Sequence, residues 1–367
     1  MKMLLVSGIY RPEIGGPATY IPSLAEKLLS LNFNVEVVTL KNSSTVKQNE
    51  LWPVNYINRD QFLFIRFLKT VLLILKKLKG VDVIFANGLL QETALANLLF
   101  RKRSVAKVVG DPVWERALNK NETSLNVVEF NNSNLNFKHK LQRILLRWSL
   151  NRFGVITCPS IQLKNIIENW GVYKPIEFIP NGVSLVTEKS TSSDFDLVTV
   201  CRLVSLKNID KIIRASVKTN VSVALVGSGA EEYKLRELAS LLGANITFFG
   251  QLDRNEVNKI LLRSKIYLNL SDHEGLSFSL LEAMSCGLPS IVSDIQGNTN
   301  VITNGLDGIV VDVKSENQLI NAIKTLMDSP STRLDYGLSA RSKIKSEYLQ
   351  EIQIGKVINL LTAGIKK

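Results

Sequence analysis

Short runs of β-branched and aliphatic residues alternate with longer amphipathic stretches along the chain. In the first half this pattern predicts strands at 2–8, 34–40, 81–86, 105–109, 154–158 and 176–179. Between them, a period near 3.6 predicts helices at Tyr20–Leu31, Phe62–Lys79 and Lys138–Arg152. Such alternation is typical of parallel sheets whose faces are covered by helices.

The second half repeats the alternation. Strands are predicted at 197–201, 221–226, 245–249, 266–270, 289–293 and 308–312, and helices at 208–218, 231–242, 254–263 and 315–328. Two successive βα arrays indicate an α/β protein with two doubly wound, Rossmann-like domains. The polar stretch 188–194 has no periodicity and indicates a linker. We therefore expect a first domain at 1–185, a second at 186–340, and C-terminal helices at 341–367 that pack back on the first domain or cap the second.

Composition agrees with a globular protein of about two domains. The chain has 367 residues, 45% of them hydrophobic and 21% charged, and no apolar run reaches the ~18 residues that span a bilayer. The apolar start at Met1–Gly8 is too short for a signal-peptide core and reads as a buried first strand. The three cysteines are far apart, without a CxxC pair, so neither disulfides nor zinc are expected. These features predict a cytoplasmic protein.

Positive charge is concentrated in the first half. The chain carries +12 overall, and residues 1–180 hold 24 Lys and Arg against 13 Asp and Glu. That imbalance predicts an anionic partner, either nucleic acid or an anionic membrane. The segment 62–79 is apolar over most of its circumference, with five basic residues and no acid. It is either a domain helix half-buried on the sheet or an in-plane membrane helix whose basic residues meet lipid headgroups.

The most informative stretch is Ser271–Pro289, which follows a strand, breaks at Gly275 and enters a helix near Ser277. The start of a helix offers free backbone N–H groups and the positive end of its dipole, which suit a phosphate. Glu274 and Glu282 flank that point, and a carboxylate can accept hydrogen bonds from two hydroxyls of a sugar. One acid would hold a hexose and the other a ribose. Alone, such a spacing is equally consistent with two solvated glutamates.

This stretch resembles the retaining glycosyltransferases of family 4, which have the GT-B fold. Their pattern E-G-x6-E-A-M-x-x-G-x-P is matched by Glu274, Gly275, Glu282, Ala283, Met284, Gly287 and Pro289. The resemblance implies two Rossmann-like domains facing a central cleft, with the donor on the second domain and the acceptor on the first. It also implies catalytic and donor-binding roles for Glu274 and Glu282, and donor contacts from Gly275, Leu276 and Ser277.

Further residues fall where the resemblance requires them. Arg202 and Lys207 follow the strand 197–201. In the family, such a pair holds the diphosphate, and the two cations stabilise the negative charge that develops on it. Cys201 stands where the family usually has Gly. Gly227 and Gly229 follow the next strand, and the resemblance implies that they let the nucleotide approach the backbone. Without a third glycine they do not complete the GxGxxG of a nicotinamide dehydrogenase.

In the first domain, two features are candidates for substrate contact. Gly15 and Gly16 belong to a Pro-x-x-Gly-Gly loop that resembles the family's loop near donor phosphates and acceptor; a tight turn is the alternative. Asp111 stands near the position where many relatives carry His. It either orients the transferred sugar and stabilises developing positive charge, or it caps a helix. His139 is predicted on a helix surface, and His273 has no metal-ligand companion.

No acidic cluster predicts a divalent metal, since Asp194 and Asp196 fall in the linker. The Asn-rich segment 119–136 is either a disordered excursion or an acceptor-binding flap. We therefore expect a retaining, metal-independent hexosyltransferase without a cofactor, using a UDP- or GDP-sugar and a glycan or lipid-linked acceptor at the cytoplasmic face of a membrane. The alternatives are a nucleotide-sugar 2-epimerase, disfavoured by the scarcity of histidine, and a basic nucleic-acid-binding protein, disfavoured by the lack of a binding motif.

Overall fold

The computed structural model describes residues 1–13, 15–42, 50–120, 122–188 and 193–363. The chain divides into two compact units. The first unit comprises Met1–Pro180 together with Ile354–Lys367, and the second unit comprises Asn181–Gln353. Each unit is a parallel α/β structure, which confirms the fold class predicted from the alternation of strands and helices.

The first unit is built on a seven-stranded parallel sheet in the order β3-β2-β1-β4-β5-β6-β7. Its strands are β1 Lys2–Ser7, β2 Asn34–Lys41, β3 Val54–Asn58, β4 Val83–Asn87, β5 Arg103–Lys107, β6 Val155–Cys158 and β7 Ile176–Phe178. The sequence pattern missed β3. Every residue of this edge strand is only half-buried, and two of its five residues are asparagines, so it lacks the continuous apolar run of the central strands.

Helices cover both faces of this sheet. They are α1 Gly16–Ser30, α2 Leu63–Leu78, α3 Leu90–Phe100, α4 Pro112–Asn119, α5 Val127–Asn132, α6 Phe137–Leu150 and α7 Ile161–Asn169. One core joins α1 to the sheet, and a second core on the opposite side joins α2, α3, α4 and α6. This layering follows from the predicted crossover connections between parallel strands.

The second unit has a six-stranded parallel sheet in the order β10-β9-β8-β11-β12-β13. Its strands are β8 Phe195–Val200, β9 Val223–Val226, β10 Ile246–Gly250, β11 Ser264–Asn269, β12 Ser290–Ser293 and β13 Gly308–Val311. Its helices are α8 Ile209–Thr219, α9 Glu232–Leu242, α10 Arg254–Leu262, α11 Phe278–Ser285, α12 Gln296–Thr299, α13 Glu316–Asp328 and α14 Pro330–Lys343. A capping box formed by Asp253 and Glu256 starts α10.

The unit boundary lies earlier than the expected position at 185. The contacts divide the chain between Pro180 and Asn181, because Val183 already pairs with Leu349 of the second unit. The C-terminal segment is also shared. The last helix, α15 Gln350–Thr362, begins in the second unit, and from Ile354 onward its buried side chains join the core beside α1. Residues 189–192 of the predicted linker fall outside the described residues.

Within the described ranges, no helix combines the length and the apolar character that a membrane span requires.

Candidate functional site

Three neighbouring strands of the second unit end at the same edge of its sheet. The strands β9, β8 and β11 lie side by side, so the loops after Val226, Val200 and Asn269 are adjacent. Ligands of open parallel sheets bind beyond the carboxyl ends of the strands. This edge carries most of the site residues predicted from the sequence.

Lys207 and Glu274 form an ion pair at this edge, and the side chains of both are more than four-fifths buried. Lys207 Nζ also donates to Ser271 Oγ at 3.1 Å. The Ser271 hydroxyl lies 2.7 Å from Asn269 Oδ1 and 3.1 Å from Glu274 Oε1, so it bridges the strand end and the carboxylate. The loops after β8 and β11 thereby place one cation and one anion in contact, which the sequence did not predict.

Asn208 ties the same two loops together. It adopts a left-handed backbone conformation with φ of 51° at the start of α8. Its Nδ2 donates to Leu270 O at 2.8 Å and to Asp272 Oδ1 at 2.8 Å. Asparagine tolerates this conformation better than most residues. The loop that carries Lys207 is therefore fixed against the loop that carries Glu274.

A buried polar network supports the loop that carries Glu274. It was not identified from the sequence. Asn298 is completely buried, and its Nδ2 donates to Ser293 Oγ at 3.0 Å, while Ser293 Oγ donates to Ser271 O at 2.6 Å. Asn269 Nδ2 donates to Asn298 Oδ1 at 3.2 Å. The only signal in the sequence is the occurrence of small polar residues where buried strands end. Such networks position functional side chains because an unsatisfied member is costly.

Gly297 lies directly against the backbone of Glu274. A Cβ at this position would lie 2.0 Å from Glu274 O. The close approach explains why α12 needs glycine here, since any side chain would push the Glu274 loop away from Lys207.

The helix α11 begins where the phosphate-binding site was predicted. Ser277 is its N-cap and accepts a hydrogen bond from Leu280 N at 3.3 Å. Gly275 and Leu276 form the turn between Glu274 and the cap. Because the first N–H groups of a helix lack partners inside the helix, this turn presents donors at the strand edge.

Glu282 lies inside α11 and pairs with Arg254, whose Nε is 3.0 Å from Glu282 Oε1. Burial raises the pKa of Glu282, and the charge of Arg254 opposes that shift. The carboxylate borders a cavity of about 300 Å³, which is also lined by Leu185, Val186, Asn258 and Ser285. Arg254 was not predicted as a site residue, because an arginine at the start of a helix carries no distinctive signal in the sequence.

Gly227 and Gly229 are required by the protein's own packing. A Cβ at Gly227, whose φ is +133°, would lie 1.8 Å from Cys201 O, and a Cβ at Gly229 would lie 2.3 Å from Leu203 O. Leu203 N also donates to Ser228 O at 2.9 Å. The glycine turn therefore holds the loop that carries Arg202. In the structure, the two glycines allow another segment of the protein to approach the backbone. The resemblance implied instead that they allow the nucleotide to approach it.

Arg202 is exposed on this loop and forms no ion pair with any residue that the structure describes. Its neighbour Cys201 is partly buried, and desolvation raises the pKa of the thiol to about 11. Burial lowers the pKa of His273, next to Glu274. The edge thus presents an exposed guanidinium near a largely buried ion pair, and its histidine favours the neutral form.

In the first unit, Gly15 and Gly16 lie at the start of α1. Gly15 is the N-cap, with φ of 151°, and a Cβ there would lie 2.6 Å from Ile9 Cδ1. Ile14 of the same loop lies outside the described residues. The loop follows β1 at the carboxyl edge of the sheet, where the sequence placed it.

Asp111 is a helix cap in the structure, which was one of its two predicted roles. Its Oδ1 accepts from Val113 N at 2.9 Å, and its Oδ2 accepts from Asn131 Nδ2 at 2.9 Å and from Arg143 at 2.7 Å. The carboxylate side chain has no exposed surface. With all its surface covered by these donors, it cannot contact a sugar as the catalytic assignment requires, and we correct that assignment to a structural one.

The Asn-rich segment supplies part of this support. Asn126 begins α5 with a capping box to Glu129, and Asn131 contacts Asp111. His139 does not lie on the helix surface as predicted. It is buried, packs edge-on against Phe130 and lies 2.9 Å from Glu122. These neighbours precede α6 in the chain, so the pattern of that helix alone did not reveal the burial. Residue 121 of this segment is outside the described residues.

Asp194 and Asp196 were both predicted in the linker, but Asp196 belongs to β8, and both hold structural ion pairs. Asp194 pairs with Arg263, and Asp196 lies 2.7 Å from Lys265. In the described part of the chain, no three His, Cys, Asp or Glu residues come together as a metal site would require.

Two family models together match nearly the whole chain. The model described as "Glycosyltransferase Family 4" matches residues 14–186, and the model described as "Glycosyl transferases group 1" matches residues 187–343. The division between them falls near the boundary of the two units.

Individual relatives are more distant. The chain is 28% identical over 247 residues to a GDP-mannose-dependent monoacylated alpha-(1-6)-phosphatidylinositol monomannoside mannosyltransferase of Corynebacterium glutamicum, a match that covers 59% of this chain and 65% of that protein. It is 26% identical to an uncharacterised glycosyltransferase of Methanocaldococcus jannaschii, and this match covers 95% of both chains.

Solved structures of glycosyltransferases share the fold. HepE of Anabaena, in complex with UDP and glucose, superposes with a TM-score of 0.80 at 17% identity, covering 99% of this chain and all of that one. Sucrose-phosphate synthase of Thermosynechococcus elongatus gives 0.77 at 19% identity, covering 98% of each chain. The matched motif residues lie together at the sheet edge, and the family models extend over both units. The chain therefore belongs to glycosyltransferase family 4.

Proposed function

We propose that the protein transfers a hexose from a UDP- or GDP-sugar to a hydroxyl of a glycan or lipid-linked acceptor, with retention of configuration and without a metal ion. The observation that carries the proposal is the contact between Lys207 and Glu274 at the carboxyl edge of the second sheet. Glu274 belongs to the motif that resembles the family, and Lys207 is one of the two cations that the resemblance assigns to the diphosphate.

The donor would lie across the edge of the second unit. Glu282 would accept hydrogen bonds from the ribose hydroxyls, and Glu274 would accept hydrogen bonds from the hexose hydroxyls. The diphosphate would lie between them, near the free N–H groups of the turn before α11 and the cations Arg202 and Lys207. Arg202 is suited to this role because it is exposed and forms no ion pair within the described residues.

Retention would follow from attack on the same face as the leaving group. The acceptor oxygen forms a bond to the anomeric carbon while the bond from that carbon to the diphosphate oxygen breaks. The acceptor's proton passes to a diphosphate oxygen, so no protein base is required. Arg202 and Lys207 would stabilise the charge that accumulates on the diphosphate. This mechanism needs no protonated histidine. Burial lowers the pKa of His273, which favours its neutral form.

The relatives indicate the donor and acceptor classes to test. The Corynebacterium relative is named for GDP-mannose and a phosphatidylinositol mannoside, and HepE was solved with UDP and glucose. We therefore propose to incubate the protein with UDP- and GDP-hexoses, with and without extracted lipid-linked acceptors, and to follow nucleotide release. Proton NMR of the product gives the anomeric configuration. Inversion, release of an epimerised sugar, or no turnover with any donor would contradict the proposal.

A lipid-linked acceptor requires the protein to work at a membrane surface, and α2 is suited to that task. Its exposed stripe includes Lys69, Lys76 and, just beyond its end, Lys79. Lys77 is different, since it pairs with Glu36, which is buried. We propose that the exposed lysines attract anionic headgroups and hold the protein peripherally at the inner face of the membrane.

Replacing Lys69, Lys76 and Lys79 with Glu should lower the affinity for phosphatidylglycerol vesicles about a hundredfold, because each lysine near an anionic surface contributes about 1 kcal/mol. Hydrolysis of the donor in solution should be unchanged. The matched control replaces the exposed lysines Lys314, Lys324 and Lys345 of the second unit with Glu, which changes the net charge equally. Vesicle sedimentation measures the affinity of both triple variants for the vesicles. Equal loss in both variants would indicate a nonspecific charge effect, and no loss would contradict the role of α2.

A further inference from the structure

The helix α6 carries its apolar stripe on the outside of the molecule. Phe137, Leu141, Ile144 and Leu145 are 83%, 47%, 53% and 47% exposed. Their spacing places them on one side of the helix, because residues three, four and seven apart share a face. Trp148 continues the stripe and is partly buried. A surface helix of a globular protein normally turns such a stripe toward the core, so this orientation requires a partner.

The neighbouring helices extend this apolar surface. The helix α3 packs between α2 and α6 on one side of the first sheet. Leu98 and Leu99 of α3 are 37% and 76% exposed, and Leu63 and Leu72 of α2 are 69% and 62% exposed. We call the outward side of α2, α3 and α6 the three-helix face. Scattered exposed leucines are ordinary, but large apolar side chains on three adjoining helices mark an interaction surface.

The charges on these helices have one sign. The sequences of α2 and α6 contain no acidic residue, and α3 contains only Glu92, which is partly buried with a pKa raised by burial. Exposed basic residues accompany the apolar ones, namely Lys69 and Lys76 on α2 and Lys140 and Arg147 on α6. Apolar side chains surrounded by cations match a bilayer surface, where hydrocarbon lies beneath anionic headgroups.

A second copy of this chain fits the face less well. A twofold dimer would bring the same surface of two copies together, and its cations would then face cations. An anionic bilayer instead supplies the opposite charge at the rim and hydrocarbon at the centre. The charge pattern therefore favours the bilayer as the occupant.

The geometry points to insertion of the whole three-helix face into the interfacial region of an anionic bilayer, with α6 and α3 contributing apolar side chains beside α2. This inference rests on the proposed membrane association and adds to it the surface that enters the lipid. Electrostatic attachment through α2 alone would keep α6 in water, whereas insertion of the face buries the stripe of α6 in the acyl region.

Trp148 provides a test in the unaltered protein. The other three tryptophans, Trp52, Trp114 and Trp170, are buried, so Trp148 is the one placed to meet lipid. Vesicles of phosphatidylglycerol and phosphatidylcholine with brominated acyl chains should quench its emission, and Trp148→Phe should abolish the quenching. Vesicles of the same composition without bromine are the control. Binding to the vesicles without quenching would overturn the inference while leaving membrane association intact.

Variants of α6 give the complementary test. Leu141→Ser with Leu145→Ser should lower vesicle affinity about tenfold, because two half-exposed leucines lose their transfer into hydrocarbon. The matched control is Leu334→Ser with Leu338→Ser, two leucines of α14 at the same spacing that are 63% and 59% exposed. Donor hydrolysis in solution should be unchanged in all of these variants, which separates failure of this inference from failure of the proposed transferase. Unchanged affinity of the α6 variant, or a dimer of the wild type that dissociates in this variant, would contradict insertion.

Discussion

Glu274→Gln is expected to lower the turnover of the sugar nucleotide by at least about a hundredfold, because the carboxylate assigned to the hexose loses its charge while its shape is kept. The neutral amide cannot form an ion pair with Lys207, although its oxygen can still accept a hydrogen bond from Lys207 Nζ. Nucleotide affinity should change little, since the ribose is assigned to Glu282. Release of UDP or GDP from the donor measures turnover, and calorimetry measures nucleotide affinity.

The control for this variant is Glu237→Gln, which removes one carboxylate from an exposed position on α9. It should retain full turnover. The melting temperatures of both variants should match the wild type, which excludes misfolding as the cause of lost activity. Wild-type turnover in Glu274→Gln would remove this residue from the mechanism.

Asp111→Ala is expected to destabilise the first unit by about 3–5 kcal/mol, because it leaves the buried guanidinium of Arg143 without its counterion. It also removes the cap of α4, which is usually worth about 1 kcal/mol. All four tryptophans lie in the first unit, so their fluorescence reports its unfolding in denaturant.

Two further variants separate the cap from the buried charge. Asn126→Ala removes only the cap of the exposed helix start of α5 and should cost about 1 kcal/mol. Adding Arg143→Leu to Asp111→Ala should recover part of the stability, because the unpaired charge is then gone. A stable but inactive Asp111→Ala protein would restore the catalytic assignment that the structure led us to correct.

Much of the fold follows from sequence periodicity. Twelve of the strands were predicted, because central parallel strands are continuous apolar runs. Only β3 was missed, since an edge strand is buried less and mixes polar residues with apolar ones. The orientation of α6 could not be predicted either. Periodicity shows that a helix has an apolar side, but it does not show whether that side faces the core or the solvent.

The candidate site was predictable only where a motif identified it. Glu274 and Lys207 were each predicted after the end of a strand, and those two strands are neighbours in the sheet, so both residues lie at one edge. Their ion pair was not predicted. The polar network that supports them was not predictable, since Asn269 at the end of β11 meets Asn298 of α12, which is 29 residues away in sequence. The role of Gly297 depends on the same tertiary contact. The sequence left two roles open for Asp111, contact with the sugar and capping of a helix. The structure favours the cap, because Asp111 is buried in an ion pair with Arg143.

Thermal stabilisation by nucleotides tests most directly whether the edge of the second unit binds a nucleotide sugar. The melting temperature would be measured with UDP, GDP and ADP, for the wild type and for Glu282→Ala. UDP or GDP should raise the melting temperature of the wild type, because a ligand that binds the folded state stabilises it. This rise should be lost in Glu282→Ala. No rise with any nucleotide, or an equal rise in Glu282→Ala, would contradict the account.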